Sequence, residues 1–528
     1  MLAVFVGDNL LFLILKGILS SIAFAFIVAR WLRSQHLPDV PGPWLNKYLG
    51  ISLVFYELRS RRNQKIVEWH RKYGPVVCIA PDQVSIASLE AVREIYGPHS
   101  HYDKSSYFDN FMEYDARSVF STLSFEEHRR KRPLVASFFQ ASNVYAKPGV
   151  EGLLRDQVLA VIGQIERETQ GTKKSSVDLY SLADWYAFDN ITALVFGPVH
   201  ASSATKRPCE ERVILSDLKR AYAWSPFRHN FPWLFPIMKT IMSRIFRQDT
   251  RHFNAQGRLR RWAYERSQKT LRDPNLASLD CLVAHLARKL SLGQGPITET
   301  PVTEASQVSD TVRFIAAESL ENVNAAEASV AATITNVAWY LSIHPYWQQR
   351  LRKELQTLPM QSDGLPSFAD LDHAPILDAC IKETHRLKPA TTSRAERVVP
   401  KGGRALSNIY LPEKTIVSTS VIAMHSDSTI FVNARNFDPS RWMEEADESK
   451  MALLNASLMQ FGYGARSCTG KAVANMEMKL LLAGLFLRFE TAPGGPRATK
   501  IMMQAGDRDG VRHGLKCELE CQPLSPLS

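Results

Sequence analysis

The sequence predicts a mainly helical protein with small β-sheets, preceded by an apolar N-terminal helix. Residues 45–300 alternate amphipathic helical patterns with short β-like runs such as VVCIA and VSIAS. A long helical stretch from Val308 to Ser342 leads into a further helix near Pro345, a residue that suits the first helical turn. With 528 residues, of which 45% are hydrophobic and 10% aromatic, the chain is long enough to bury a large core.

The N-terminal segment from Asn9 to Ala29 is apolar except for Lys16 and two serines. Its length matches the roughly 20 helical residues that cross a bilayer. A cleaved signal peptide is the alternative, but this segment lacks a basic start and arginines follow it. By the positive-inside tendency we expect an uncleaved single-pass anchor in residues 1–36, with the body of the protein in the cytosol. The three prolines of LPDVPGPW, residues 37–44, predict a stiff connector to one domain at 45–528.

The formal net charge of the chain is +11, which suits nucleic acid, an acidic partner or an anionic membrane surface. The sequence shows no basic stripe with interleaved aromatics and no zinc-finger spacing, so we expect no nucleic-acid binding. The seven cysteines are widely scattered, which argues against a disulfide framework and for a reducing compartment.

The segment from Ala223 to Phe246 mixes aromatic, basic and proline residues. One interpretation is a buried helix pair with a proline turn. The other is a surface element that enters the bilayer beside a substrate entrance. The sequence leaves both interpretations open.

The most specific chemistry in the sequence lies in FGYGARSCTG, from Phe461 to Gly470. Cysteine binds metals as a thiolate, which hydrogen-bond donors and nearby positive charge stabilise. Gly464 and Gly470 let the backbone approach a flat, bulky group, and Arg466 places a cation near Cys468. The pattern F-x-x-G-x-R-x-C-x-G is complete, and it resembles the haem-thiolate signature of the cytochrome P450 family. The resemblance implies that these five residues hold haem b, with Cys468 as the axial ligand of the iron.

Two companion motifs stand in the order that the family shows. KETHRL places Glu383 and Arg386 three apart on one helix face, where they can form a charge-assisted pair. NFDPSRW supplies Arg441, which in the family completes a Glu–Arg–Arg cluster behind the haem. A lone E-x-x-R pair is usually a solvated salt bridge, but its position before the other two motifs makes the resemblance specific.

Three further basic residues match positions that bind haem propionates in the family. FEEHRRKR carries His128 and Arg132 four apart on a helix face, for which a basic surface face is the alternative interpretation. Arg397 in AERVVP matches another propionate-binding arginine. The resemblance runs from about Pro38 to Glu520. The order and spacing of the motifs are most similar to those of membrane-anchored fungal members.

The resemblance implies a cytochrome P450 haem-thiolate fold and a monooxygenase that hydroxylates a hydrophobic small molecule with O2, here in secondary metabolism. A thiolate ligand pushes electron density onto the iron and favours O–O cleavage. The chain contains no G-x-G-x-x-G dinucleotide fingerprint, so we expect electrons from NADPH through a separate NADPH–cytochrome P450 reductase. The endoplasmic reticulum membrane is the expected location.

The helix that lines the oxygen site departs from the family pattern A-G-x-(Asp/Glu)-Thr. Counting back from His344 puts Ala325 to Ser329 in these five positions, so Ala328 stands where the acid is expected. Ser329 keeps the hydroxyl, and Glu327 is the nearest carboxylate; these two are the candidate catalytic residues. Glu327 lies about 160° from Ser329 around a regular helix, so only a local bulge would turn it toward the haem. A register shifted by one residue would instead make Glu327 the acid.

Two polar residues, Asn322 and Glu318, fall within roughly 20° of the hydroxyl position, on one stripe with Ala325. Our hypothesis is that Asn322 contacts a polar group of the substrate and that Glu318 does likewise or joins a water chain. The alternative is that both bond to neighbouring helices. The aromatic-rich segment 107–120 corresponds to a substrate-contacting part of the family, with Phe111 as the candidate residue.

The missing acid at Ala328 keeps a second function open. A haem-thiolate isomerase or dehydratase rearranges an already oxidised substrate, and it needs neither O2 nor a reductase. A monooxygenase is favoured, because Ser329 together with a water can substitute for the acid.

Overall fold

The computed structural model describes residues 21, 28, 37, 39–169, 176–290, 310–392, 394–443, 448–506 and 516–524. The predicted anchor lies outside these residues, except for two positions at 21 and 28. Within the described ranges, no helix has both the length and the apolar character needed to cross a bilayer. The chain divides into two compact units: a smaller unit in Met1–Ser105 and Arg394–Ala423, and a larger unit in Ser106–Ser393 and Met424–Ser528.

Helices make up most of the described chain, as predicted. In chain order they are α1 (Trp44–Tyr48), α2 (Ile51–Leu58), α3 (Arg62–Tyr73), α4 (Leu89–Tyr96), α5 (Phe125–Phe139), α6 (Ala141–Tyr145), α7 (Pro148–Thr169), α8 (Leu179–Phe196), α9 (Glu210–Tyr222), α10 (Ser225–Asn230), α11 (Phe235–Arg244), α12 (Ala255–Leu271), α13 (Leu282–Lys289), α14 (Asp310–Ile343), α15 (Pro345–Thr357), α16 (Phe368–Asp372), α17 (Pro375–Leu387), α18 (Val421–His425), α19 (Glu448–Ser457), α20 (Lys471–Arg488) and α21 (Pro496–Gly506).

The strands are short and form small sheets, which was also predicted. They are β1 (Val76–Ala80), β2 (Gln83–Ile86), β3 (Asp103–Lys104), β4 (Ser176–Asp178), β5 (Arg397–Val398), β6 (Arg404–Leu406), β7 (Ile409–Leu411), β8 (Ile416–Thr419), β9 (Phe489–Pro493) and β10 (Glu518–Pro523). The sheet orders are β1-β2-β8-β5-β3, β4-β10-β9 and β6-β7. The run VVCIA is β1, and the long predicted helix is α14.

The five-stranded sheet belongs to the smaller unit. Its centre is a parallel pair in which Val84 of β2 faces Val417 of β8, and antiparallel strands flank this pair. The connector packs against this sheet, because the backbone N–H of Cys78 donates to the carbonyl oxygen of Pro41 at 2.8 Å. A Cβ atom at Gly42 would lie 2.5 Å from the carbonyl oxygen of Cys78, so only glycine fits at this contact.

The core of the larger unit is built around α14 and α8, which form the most extensive helix contact in the described chain. Helix α8 is buried over almost its whole length, and α20 packs against both α14 and α7. Their apolar side chains form one continuous cluster with residues of α17 and the β4-β10-β9 sheet. Because this cluster is densely packed, it gives a rigid support to the segments before α20 and after α17.

The segment 223–246 forms a surface element, so the interpretation as a buried helix pair is wrong. Helices α10 and α11 contain no buried residue. Trp233, Ile245 and Phe246 are 71%, 68% and 65% exposed. Prolines in the first turn of each helix break the chain into two short helices that leave this apolar face uncovered.

Candidate functional site

The loop 461–470 is a tight irregular turn immediately before α20. The backbone N–H of Cys468 donates to the carbonyl oxygen of Phe461 at 2.8 Å, and Ser467 N–H donates to Gly464 oxygen at 3.0 Å. Gly462 and Gly464 have φ angles of +72° and +62°, in the left-handed region that favours glycine. The glycines therefore fold the loop so that it returns on itself and presents Cys468.

The thiol of Cys468 is accessible to solvent although protein surrounds it. Desolvation raises its pKa, while a hydrogen bond from the backbone N–H of Gly470 and the positive charges of Arg132 and Lys471 act to lower it. A Cβ atom at Gly470 would meet no protein atom within 4 Å, so there is open space at this position, two residues after Cys468. The site thus combines an accessible sulfur, donors for a thiolate and room for a large group.

Two arginines predicted to bind the cofactor border the cysteine loop. Arg132 on α5 donates from Nη2 to Ser467 Oγ at 3.3 Å. Arg466 donates from Nη1 and Nη2 to the carbonyl oxygens of Thr122 and Leu123, at 3.0 and 2.9 Å. His128, one helical turn before Arg132, is buried. The structure therefore brings Arg132 to the loop, and it ties Arg466, which is part of the loop, to the segment before α5.

The predicted Glu–Arg–Arg cluster is assembled around Glu383 of α17. Its carboxylate accepts hydrogen bonds from Arg386 at 2.7 and 2.9 Å and from Arg441 Nε at 3.0 Å to each oxygen. Trp442 Nε1 at 2.9 Å and the backbone N–H of Asp438 at 3.0 Å complete the set of donors. Because the carboxylate is fully buried, these bonds hold α17 firmly to the 439–442 turn.

Sequence reasoning missed His425, which joins this cluster to the cysteine loop. Its Nδ1 lies 3.1 Å from the carbonyl oxygen of Arg386, and its Nε2 accepts from the backbone N–H of Met459 at 3.0 Å. These partners assign the proton to Nδ1. Burial lowers the pKa of the imidazole to about 3, so His425 stays neutral. A lone histidine in AMHSDS has no pattern that would have indicated this role.

Arg397 lies in the smaller unit, on β5. It is buried, its guanidinium stacks over the ring of Tyr96 at 5.0 Å, and Nη1 donates to the carbonyl oxygen of Glu396 at 2.9 Å. Desolvation lowers its pKa. No carboxylate of the described chain forms an ion pair with Arg397. A buried cation with this environment is suited to an anionic ligand.

The candidate catalytic residues lie in the middle of α14, which is an uninterrupted α-helix. Ala325 is exposed and Glu327 is buried, so the two side chains point to different sides of the helix. This agrees with the expectation that a regular helix turns Glu327 away from the stripe of Ala325 and Ser329. The hydroxyl of Ser329 donates to the carbonyl oxygen of Ala325 at 2.7 Å.

The polar pair on the same helix is bonded within the protein. Asn322 Nδ2 donates to the carbonyl oxygen of Glu318 at 2.8 Å and to its Oε1 at 3.0 Å. Glu318 Oε2 accepts from the backbone N–H of Val119 at 2.8 Å. Desolvation raises the pKa of Glu318 to about 7, opposed by these bonds and by the charge of Lys131. Their proposed contact with a substrate stays a prediction.

Phe111 ends a 3-10 turn, Ser106–Phe111, and packs into an aromatic cluster. Its ring centroid lies 5.6 Å from that of Tyr107, 6.0 Å from Phe108 and 5.2 Å from Phe120. Phe111 is half-buried, so its cluster both stiffens this segment and leaves apolar surface accessible.

Comparison with known proteins agrees with this site. The sequence profile described as "Cytochrome P450" matches residues 41–506. "Cytochrome P450 monooxygenase FGM1" of Gibberella zeae is 37% identical over 508 residues, which cover 96% of each chain. "Cytochrome P450 monooxygenase orf2" of Aspergillus niger is 28% identical over 478 residues, 90% of this chain and 91% of that protein. "Cytochrome P450 monooxygenase mpaDE'" of Penicillium brevicompactum is 26% identical over 476 residues, 88% of this chain and 53% of that protein.

The chain belongs to the cytochrome P450 family. It is a monooxygenase-class enzyme of an oxidoreductase family whose members bind haem through a cysteine thiolate. The residues present fit this cofactor. Cys468 is exposed, a Cβ atom at Gly470 would meet no protein atom within 4 Å, and the positive charges of Arg132 and Lys471 act on the thiol.

Proposed function

We propose that this chain hydroxylates a hydrophobic small molecule with O2 and electrons from NADPH, delivered by a separate NADPH–cytochrome P450 reductase. The relatives' names support monooxygenase chemistry. Their fungal origin favours a role in secondary metabolism. The net charge of +11 suits docking of an acidic reductase by electrostatic attraction.

One observation carries this proposal: Cys468 offers an accessible sulfur at the N-terminal end of α20, among donors that favour its thiolate. Burial raises the pKa of the Cys468 thiol overall, while the Gly470 N–H and the charges of Arg132 and Lys471 act to lower it. The positive end of the helix dipole acts in the same direction. In the proposal Cys468 would therefore bind the haem iron through its thiolate.

The other cofactor residues have defined tasks in this proposal. Bound at Cys468, haem supplies the activation of O2 that no amino-acid side chain can provide. Arg132 and His128 would bind its propionates through hydrogen bonds, as the family resemblance implies. Glu383 and His425 keep the cysteine loop in place, because both connect α17 to segments next to it.

Ser329 and a water handle protons in the proposed reaction. The Ser329 hydroxyl donates to Ala325 oxygen at 2.7 Å, so its own lone pairs accept a hydrogen bond from a water in the cavity. Ala328 carries no acid, and the side chain of Glu327 is buried on another side of α14. We therefore expect Ser329→Ala to uncouple electron use from product formation.

The absence of an acid at Ala328 favours a second candidate, a haem-thiolate isomerase or dehydratase. Such an enzyme rearranges an oxidised substrate without external electrons, so it has less need of an acid at Ala328. The two candidates differ in a direct test. Substrate turnover that requires NADPH, reductase and O2 supports the monooxygenase, whereas turnover without all three supports the isomerase or dehydratase.

We further propose that the protein is held at the endoplasmic reticulum membrane, with the anchor in residues 1–36 and the haem domain in the cytosol. The exposed apolar side chains of the segment 223–246 support a second contact with the bilayer. Trp233 and Phe246 are large and exposed, and Arg228 and Lys239 lie close by in sequence to meet anionic headgroups.

The assignment of Cys468 is tested by spectra of the purified protein reduced with dithionite under carbon monoxide. We expect wild type to show the red-shifted Soret band of thiolate-ligated ferrous haem, and Cys468→Ala to lack it. Cys380→Ala is the matched control, because that thiol is fully buried and remote in sequence from the cysteine loop. An unchanged band in Cys468→Ala, or a band typical of histidine ligation in wild type, would refute the proposal.

A further inference from the structure

The segment Ser106–Leu123, which contains the aromatic cluster of Phe111, has little regular structure but is held in the larger unit by several contacts, of which three run to α12, α14 and the cysteine loop. The hydroxyl of Tyr114 donates to the carbonyl oxygen of Arg260 on α12 at 2.6 Å. The N–H of Val119 donates to Glu318 on α14, and the carbonyl oxygens of Thr122 and Leu123 accept from Arg466. The segment therefore connects two helices with the cysteine loop.

The contact with Glu318 is the most deeply buried of the three. Glu318 is 3% exposed and Val119 is 6% exposed. Oε2 of Glu318 accepts the Val119 N–H at 2.8 Å, while Asn322 holds Oε1 from the next helical turn at 3.0 Å. A buried backbone N–H without an acceptor is costly, so Glu318 fixes the position of Val119, in addition to the bonds that Lys131 of α5 donates to Arg117 oxygen and Thr122 Oγ1.

Local hydrogen bonds make the stretch between Val119 and Arg466 stiff. The N–H and the hydroxyl of Thr122 both donate to the carbonyl oxygen of Ser118, at 3.0 and 2.7 Å. The N–H of Ser121 donates to Ser118 Oγ at 3.1 Å. Because this turn is closed by its own bonds, a shift at Val119 moves the carbonyl groups that hold Arg466.

We propose that Glu318 is a positioning residue that fixes the turn Ser118–Leu123 against α14. Through this turn it controls the placement of Arg466 and the access of small molecules to Cys468. The inference rests on the proposed haem-thiolate function, because it assigns the turn to the surroundings of the bound haem. It differs from a direct contact between Glu318 and substrate. Both carboxylate oxygens of Glu318 are occupied by protein donors.

The test compares three variants of the full-length haem-loaded protein. Glu318→Leu removes the acceptor at similar volume, and Glu318→Gln keeps a carbonyl oxygen for the Val119 N–H. Ser319→Ala is the matched control, because the Ser319 hydroxyl is equally buried but bonds only to Ile315 oxygen within α14 among the contacts described. Hydrogen exchange of peptides covering 112–123 measures how firmly the hydrogen bonds of the turn are held. Carbon monoxide recombination after flash photolysis measures how easily a small molecule reaches the haem.

In Glu318→Leu we expect exchange in 112–123 to be about tenfold faster or more, because the Val119 N–H loses its acceptor. Carbon monoxide recombination should also be several times faster. Glu318→Gln and Ser319→Ala should stay close to wild type in both measurements. If Glu318→Leu does not fold, Asn322→Ala replaces it, since that change frees the carboxylate and should speed exchange to a smaller extent.

Two results would overturn the inference. One is wild-type exchange and recombination in a folded Glu318→Leu variant. The other is a Glu318→Gln variant that behaves like Glu318→Leu, which would mean that the acceptor atom is not what matters. Failure of the proposed function is distinguishable, because it appears as a missing red-shifted Soret band in wild type and leaves the exchange measurement intact.

Discussion

Glu383 and Glu477 are both fully buried in the larger unit, on either side of the cysteine loop in sequence, yet their surroundings are opposite. Glu383 accepts hydrogen bonds from Arg386, Arg441 and Trp442. Glu477 on α20 has no hydrogen-bond partner of normal geometry for either carboxylate oxygen within the described structure. Desolvation raises its pKa to about 8, although the Asn190 side chain opposes this rise.

Burial alone therefore does not define the role of an acidic residue. Glu383 neutralises two buried guanidinium groups and joins α17 to the turn at 439–442, so its charge is part of the architecture. Glu477 is mostly protonated at neutral pH because its raised pKa exceeds 7, so it acts as a neutral polar group in an apolar core. The same substitution should therefore have very different consequences at the two positions.

The largest expected effect is that of Glu383→Gln. It removes the charge that compensates Arg386 and Arg441, and breaking a buried ion pair in this way costs about 3–5 kcal/mol. We expect this loss in the free energy of unfolding measured by denaturant titration, together with reduced haem content. Glu477→Gln is the matched control: below pH 4.5, where glutamine resembles the protonated acid, it should change the free energy of unfolding by less than about 1 kcal/mol, and at pH 7 it should not destabilise the protein. Equal losses of unfolding free energy in Glu383→Gln and Glu477→Gln would contradict the proposed difference between the two carboxyl groups.

An intermediate effect is expected in the pH dependence of stability. The pKa of Glu477 is raised from 4.5 to about 8 on folding, so its contribution to stability is fully present below pH 4.5 and is lost as pH rises toward 8. Between these values wild type should lose up to about 1.4 kcal/mol per pH unit relative to Glu477→Gln. The measurement is the difference between the two free energies of unfolding across this range. A difference that does not vary with pH would contradict the raised pKa.

The smallest expected effect is that of Trp442→Phe, which removes one of several donors to Glu383. Hydrogen bonds to charged groups contribute about 1.5–3 kcal/mol, and the remaining donors should keep this loss near the lower end. Thermal unfolding monitored by circular dichroism measures it. Trp347→Phe on α15 is the control, because Trp347 has similar exposure and lies outside the Glu383 cluster. A loss as large as that of Glu383→Gln would mean that the arginines contribute little.

The sequence predicted those parts of the site whose residues stand at a short, fixed spacing along the chain. The glycines and the cysteine of the loop stand close together along the chain, and Glu383 pairs with Arg386 one helical turn away. Helix α14 was predicted within two residues of its observed ends, because its apolar pattern is long.

The parts that the sequence could not predict depend on long-range contacts with backbone groups. Glu318 bonds to the N–H of Val119, and Arg466 bonds to the carbonyl oxygens of Thr122 and Leu123. Any residue type has these backbone groups, so no side-chain pattern marks them. His425 was missed for the same reason. The segment 223–246 stayed ambiguous because its apolar residues suit a core and a lipid-facing surface equally.

The exposed apolar side chains of the segment 223–246 have a consequence for handling the protein. Deleting residues 1–36 would remove the predicted anchor but would leave Trp233, Ile237, Ile245 and Phe246 facing water. Contiguous apolar surface of this kind promotes self-association. A shortened chain should therefore still require detergent or added salt to remain monodisperse during chromatography, and polar replacements on α11 would relieve this requirement better than further trimming.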